Sequence, residues 1–135
     1  MLNISLVYKA TADELFCAWT DPAIMSQWLF KGDDSEIESV EADVAVGGAF
    51  SIVERTKDGP MDHFGNYLLV DKPYALSFTL AVPKHFAGDT QVSIEFKQTD
   101  VGCEMVFQQA GVEPGIVEPS WRRMFSNLTM LLLRS

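Results

Sequence analysis

The sequence of 135 residues predicts an α+β fold, in which a curved antiparallel sheet of about seven strands wraps around a long C-terminal helix. Three patterns indicate this fold: seven segments whose apolar residues alternate, two short helices after the first strand, and a final apolar stripe at helical spacing. Consecutive strands joined by short turns pair in antiparallel fashion. We therefore expect a single domain over residues 1–135.

The first elements are a strand and two capped helices. Residues 2–8 alternate between apolar and polar side chains, which is typical of a half-buried strand. A Thr-x-x-Glu capping box begins the first helix at Thr11, and an Asp-Pro pair begins the second at Asp21. Each helix has one apolar face, formed by Leu15, Phe16 and Trp19 in the first and by Ile24, Met25 and Trp28 in the second.

Six further strands follow, separated by turn residues. The alternation predicts them over residues 36–46, 49–56, 61–70, 74–82, 90–97 and 103–109. Paired glycines at Gly47 predict a bulge or sharp bend, and Asp58-Gly59 is a hairpin signal. His85 falls in a loop over residues 83–89, where we interpret it as a solvated histidine without a metal.

The last helix is predicted to begin at Pro119, because proline suits the first helical position. Its apolar residues recur at helical spacing and form a stripe wide enough to cover one face of the sheet: Trp121, Met124, Phe125, Leu128, Leu131 and Leu132. A strongly curved sheet around such a helix can leave a space between the two.

Composition excludes several classes of function. A net charge of −9 disfavours nucleic-acid and anionic-membrane partners, and no apolar run reaches bilayer length. Cys17 and Cys103 lack metal-ligand spacing, so we expect reduced, inert thiols and no metal or cofactor. The start of the chain has no signal-peptide pattern, which predicts a cytoplasmic protein. We expect a monomer or homodimer.

The sequence resembles the helix-grip superfamily of START and Bet v-like domains (SRPBCC), and within it the branch related to the activator of heat shock protein 90 ATPase. The resemblance covers nearly the whole chain and lies in residues 12–22, Trp28, residues 47–50, 65–67, 70–74 and 92–96, and Trp121. It implies a sheet and C-terminal helix that enclose an apolar cavity. Members of the superfamily include binders of lipids and small molecules, polyketide cyclases and co-chaperone domains.

The hairpin offers a candidate ionisable pair. A four-residue loop over residues 57–60 would place Glu54 opposite His63 and Phe50 opposite Tyr67 on one face, with Arg55 opposite Asp62 on the other. If the first face is concave, Glu54 and His63 form an acid/base or ligand-orienting pair. Alternatively, they pair across strands at an exposed hairpin end. The second pair is interpreted as a surface ion pair.

Three functions are compatible with this sequence. The first is a non-enzymatic domain that binds a small hydrophobic or aromatic molecule, with Glu54, His63 and Tyr67 as polar contacts. The second is an enzyme of the polyketide cyclase or hydrolase type that uses Glu54 and His63. The third is a chaperone-interacting module with a role in the stress response. The aromatic candidates for the cavity wall, which could equally be core, are Trp28, Phe50, Tyr67, Phe78, Phe107, Trp121 and Phe125.

Overall fold

The computed structural model describes residues 1–83 and 88–133, so His85 lies outside the described residues. It confirms the predicted fold class: a seven-stranded antiparallel sheet in the order β1-β7-β6-β5-β4-β3-β2, with two short helices after β1 and a long one at the end. The elements are β1 Leu2–Tyr8, α1 Ala12–Thr20, α2 Pro22–Trp28, β2 Glu36–Ala42, β3 Ala49–Thr56, β4 Gly59–Asp71, β5 Ala75–Leu80, β6 Thr90–Thr99, β7 Gly102–Ala110 and α3 Pro114–Leu133.

The two short helices begin as the sequence predicts. The Thr11 hydroxyl accepts the backbone N–H of Glu14 at 3.1 Å, and the Glu14 carboxylate accepts the Thr11 N–H at 3.1 Å. The Asp21 carboxylate accepts the N–H of Ala23 at 3.0 Å and so caps α2. These side chains satisfy helix N-terminal donors that would otherwise need water.

Strand β2 is shorter than predicted, because the chain turns before Gly47. The strand ends at Ala42, and Gly47 adopts a φ of +85°, a conformation that glycine reaches without steric cost. The Gly47 N–H donates to the carbonyl of Tyr67 at 2.8 Å, and the Gly48 carbonyl accepts the Tyr67 N–H at 2.9 Å. The predicted bend is therefore present, and it joins the β2–β3 connection to β4.

The final helix begins at Pro114, so the prediction of a start at Pro119 is wrong by five residues. Proline fits the first helical position, and the carbonyl of Glu113 accepts the N–H groups of Ile116 at 3.0 Å and Val117 at 3.3 Å. Pro119 lies inside the helix, where it leaves a carbonyl one turn earlier without its usual donor. The extra residues form a helical segment above the sheet.

The core is aromatic and centres on Trp19. This side chain is 1% exposed, and its ring lies 4.8 Å from Trp28 and 6.3 Å from Phe107, measured between ring centroids. Phe125 of α3 packs edge-on against Phe107 of β7 at 5.2 Å. The Tyr8 hydroxyl donates to the Phe125 carbonyl at 3.2 Å and ties α3 to the edge strand β1. Helices α1 and α3 are thus fixed on the same face of the sheet.

Candidate functional site

The β3–β4 hairpin pairs in a register two residues away from the predicted one. Thr56 pairs with Gly59, so Glu54 lies opposite Met61, Ile52 opposite His63, and Phe50 opposite Gly65. The turn contains two residues, because Gly59 has a φ of +106° and already belongs to β4. The predicted direct pairs Glu54–His63, Phe50–Tyr67 and Arg55–Asp62 are therefore wrong.

A shift of two residues keeps every side chain on its predicted face. Glu54 and His63 are diagonal neighbours on that face, and their Oε1 and Nε2 atoms are 3.1 Å apart. Their side chains are 12% and 5% exposed, so the pair is not a solvated hairpin-end contact. A carboxylate only accepts hydrogen bonds, so the imidazole Nε2 carries the proton in this contact.

A second contact holds the other oxygen of Glu54. The Ser35 hydroxyl donates to Glu54 Oε2 at 2.6 Å and accepts the backbone N–H of Gly32 at 2.8 Å. The loop between α2 and β2 is therefore connected to the hairpin through this carboxylate. Both oxygens of Glu54 are fixed, which orients the carboxylate.

Phe30 forms one wall beside the pair. Its ring stacks on the imidazole of His63 at 4.3 Å between centroids and 4° between planes, and it contacts Trp121 edge-on at 5.6 Å. Phe30 has a φ of +62°, a left-handed conformation that is uncommon and costly for a bulky residue. Such strain persists only where the surroundings fix it, and it is found preferentially at functional sites.

These residues line a cavity between the sheet and α3. Its volume is about 510 Å³, within the range of small-molecule sites, and it opens to solvent. Most lining side chains are apolar, and the polar ones are Glu54, His63, Gln109, Ser120 and Arg123. The apolar lining residues are Phe30, Met61, Leu80, Val82, Ile116, Val117, Trp121 and Met124.

A buried hydrogen-bond chain fixes the part of the cavity wall that β5, β7 and α3 form. The indole Nε1–H of Trp121 donates to Gln109 Oε1 at 2.8 Å, and Gln109 Nε2 donates to the Thr90 hydroxyl at 3.0 Å. Thr90 donates in turn to the Leu80 carbonyl at 3.0 Å. Gln109 is 1% exposed, so these bonds offset the cost of burying its amide.

Three of the nine predicted site residues line the cavity: Glu54, His63 and Trp121. The other six lie in the core, where they contact one another and Trp19: Trp28, Phe50, Tyr67, Phe78, Phe107 and Phe125. The Trp28 indole donates to the Ala18 carbonyl at 2.9 Å and its side chain is fully buried, so Trp28 does not lie at the cavity mouth.

A second and much smaller cavity lies beside three of these six core residues. Phe50, Tyr67 and Phe78 line a void of about 10 Å³, room for about one water molecule. Burial raises the pKa of Tyr67 to about 12, and the nearby Asp43 carboxylate adds to the rise. These aromatic residues therefore form packed core and leave no room for a ligand.

Several cavity residues lie outside the helices and strands that the sequence predicts. Ile116 and Val117 precede Pro119, where the helix is predicted to begin, and Phe30 lies between the second predicted helix and the strand predicted over residues 36–46. Arg123 lies outside the apolar stripe that the sequence predicts for the helix. Pro114, as a second possible first helical residue, was the available signal for the longer helix.

The remaining predicted features lie away from the cavity. Arg55 pairs with Glu36 of β2 at 3.0 Å, whereas Asp62 accepts the Ser51 hydroxyl at 2.7 Å. Burial raises the pKa of Cys103, which disfavours its reactive thiolate. Over residues 1–83 and 88–133, no group of three metal-ligating side chains converges, and no helix is long and apolar enough to span a membrane.

Solved structures from several bacteria have the same fold. A crystal structure from Nitrosomonas europaea matches with a TM-score of 0.81 at 20% identity, over 98% of this chain and 94% of that one. One from Chromobacterium violaceum matches with a TM-score of 0.86 at 20% identity, over 96% and 95%. The solution structure of the AHSA1-like protein from Aeromonas hydrophila matches with a TM-score of 0.79 at 22% identity, over 96% and 89%.

Sequence comparison gives the family. No curated protein matches the chain. The family model described as activator of Hsp90 ATPase homolog 1-like protein matches residues 9–132, which is nearly the whole chain. At such low identity the structural matches show the fold alone, whereas the family model covers far more than half of the sequence. The chain therefore belongs to the activator of Hsp90 ATPase homolog 1-like family, within the helix-grip superfamily predicted from its motifs.

Proposed function

We propose that this protein binds a small hydrophobic or aromatic molecule in the cavity between the sheet and α3. The observation that supports this most is the cavity itself, with a volume of about 510 Å³ and mainly apolar walls. Ligand sites typically combine such walls with a few placed polar groups. Glu54, His63 and Trp121 are the predicted site residues that would contact the ligand.

The position of Ser120 provides a direct test. Ser120 lines the cavity, whereas Ser126 lies on the exposed side of the same helix. Ser120→Phe would fill part of the cavity and should weaken binding of the fluorescent probe 1-aminoanthracene at least tenfold. Ser126→Phe adds the same side chain outside the cavity and should leave binding unchanged.

Native mass spectrometry of freshly purified protein would complement this titration by detecting a co-purifying small molecule. Unchanged probe binding in Ser120→Phe would contradict the proposal, as would an equal loss in both variants. Circular dichroism of both variants separates a filled cavity from a misfolded protein.

A second function, acid/base catalysis, is favoured by the Glu54–His63 contact. The enzyme hypothesis requires both side chains to point inward within hydrogen-bonding distance, and they do so at 3.1 Å. Nδ1 of His63 is buried, so Glu54 is the member of the pair that could accept a proton from a bound molecule. His63 would then orient the carboxylate.

An aryl ester such as 2-naphthyl acetate tests the hydrolase form of this hypothesis. Glu54→Gln should abolish hydrolysis above the buffer rate, while Arg55→Gln, on the opposite face of the same strand, should preserve it. Equal rates in the two variants would argue against catalysis by this carboxylate.

Interaction with a chaperone is a third proposal, which follows from the family description rather than from the cavity. It predicts that this protein, used as a folded bait, captures purified Hsp90. Failure of capture by a bait that retains the native circular dichroism spectrum would count against it.

A further inference from the structure

Two of the polar side chains that line the cavity, Glu54 and Arg123, lie near Gly32. A methyl group built on this glycine would lie 3.2 Å from Ser35 Oγ, 3.5 Å from Glu54 Oε2 and 3.9 Å from Arg123 Nη2. Glu54 and Arg123 both line the cavity. A carboxylate acceptor and a cationic donor therefore lie within 4 Å of one point beside Gly32, where glycine places no side chain.

Arg123 has no carboxylate partner of its own among the described residues. Glu54 pairs with His63 instead, and the adjacent Arg122 pairs with Glu118 at 2.6 Å. Arg123 is also the one lysine or arginine among the described lining residues. Its guanidinium donors are thus available to a ligand, although a negative charge lies close by.

The opposite charges disfavour a ligand with a net charge at this point. An anionic group beside Arg123 would also approach the Glu54 carboxylate, and a cationic group beside Glu54 would approach the guanidinium. A neutral group whose donor and acceptor are bonded to the same carbon satisfies both, since its N–H or O–H can donate to Glu54 while its oxygen accepts from Arg123.

We propose that the ligand is a neutral aromatic or hydrophobic molecule whose polar end carries an adjacent donor and acceptor, as in a primary carboxamide. Glu54 and Arg123 hold this end beside Gly32, and the apolar walls hold the rest. This inference rests on the proposed binding function and adds the chemical class of the ligand.

Three probes with the same ring system test the inference by fluorescence titration at neutral pH. They are 2-naphthamide, which is neutral with a donor and an acceptor, 2-naphthoate, which is anionic, and 2-methylnaphthalene, which has no polar group. We expect 2-naphthamide to bind roughly tenfold more tightly than either of the others, as two additional hydrogen bonds to charged groups would allow.

Variants assign this preference to residues. Arg123→Gln and Glu54→Gln should each weaken 2-naphthamide binding several-fold and leave 2-methylnaphthalene binding unchanged. The matched control is Arg122→Gln, which removes the neighbouring arginine, outside the cavity lining, and should affect neither probe.

The outcomes separate the two proposals. Tighter binding of 2-naphthoate than of 2-naphthamide would overturn the inference of a neutral polar end. Equal binding of 2-naphthamide and 2-methylnaphthalene, or an equal effect of Arg122→Gln and Arg123→Gln, would overturn the polar subsite while binding of an apolar molecule stands. If the folded wild-type protein binds none of the three probes, the proposed function fails as well.

Discussion

The Glu54–His63 contact predicts a measurable energetic coupling between two side chains. Glu54→Leu removes the acceptor of the His63 Nε2–H and of the Ser35 hydroxyl, while keeping an aliphatic side chain in place. Leaving a buried donor without an acceptor costs about 1–3 kcal/mol, so the two lost contacts should lower the free energy of unfolding by about 2–6 kcal/mol.

His63→Phe removes the donor but keeps an aromatic ring for stacking on Phe30. It should cost about 1–3 kcal/mol, because Glu54 Oε1 loses its donor inside a largely buried site. The double variant replaces both partners with apolar groups. It should therefore cost less than the sum of the single variants, by at least about 1 kcal/mol.

Urea denaturation of the wild type, the two single variants and the double variant gives this coupling energy. The matched control is the pair Arg55–Glu36, which is bonded at 3.0 Å but has side chains that are 62% and 75% exposed. The coupling energy of this control pair should be no more than about 0.5 kcal/mol, as for other exposed ion pairs. If the effect of the double variant equals the sum of the two single effects within about 0.5 kcal/mol, the predicted coupling between Glu54 and His63 is refuted.

Two further predictions concern backbone packing and pH. Gly65→Ala should lower the free energy of unfolding by more than about 3 kcal/mol, because the new Cβ would lie 1.8 Å from the Thr79 carbonyl oxygen. In the control Gly115→Ala, the new Cβ meets nothing within 4 Å, so this variant should be neutral or stabilising by up to about 1 kcal/mol. Chemical denaturation measures both changes. Burial raises the pKa of Tyr8 and of Tyr67 to about 12 from 10.0, so the stabilisation from keeping both phenols protonated is complete below pH 10.0 and is lost as pH rises toward 12. The loss should reach about 3 kcal/mol per tyrosine, and each Tyr→Phe variant should flatten the pH profile; an unchanged profile in both would contradict this account.

The sequence was sufficient to predict the fold because its signals are local and periodic. Strands β1 and β3 have the predicted bounds, and the capping box at Thr11 forms as expected. The hairpin register could not be predicted, since it depends on whether Gly59 belongs to the turn or to the strand. The error of two residues still left Glu54 and His63 on one face, because side chains alternate with a period of two.

The cavity walls were predicted less well for a physical reason. Aromatic residues serve equally as core and as ligand contacts, and alternation alone does not show which of them pack against Trp19. Phe107, Phe125 and Trp121 all do so, but of these three Trp121 alone also lines the cavity, one helical turn before Phe125. The left-handed backbone at Phe30 has no sequence signal, because it is imposed by the residues packed around it.

The central claim is that a ligand occupies the cavity between the sheet and α3. Nuclear magnetic resonance titration with 2-naphthamide tests it directly, because the indole N–H groups of Trp121 and Trp28 report on different places. The account predicts that the Trp121 indole signal and the amides of Phe30 and Val117 shift, while the Trp28 indole, which is bonded to Ala18 in the core, does not. Shifts confined to the core indole, or to a separate surface groove lined by Cys17, Ile24 and Leu131, would contradict the claim.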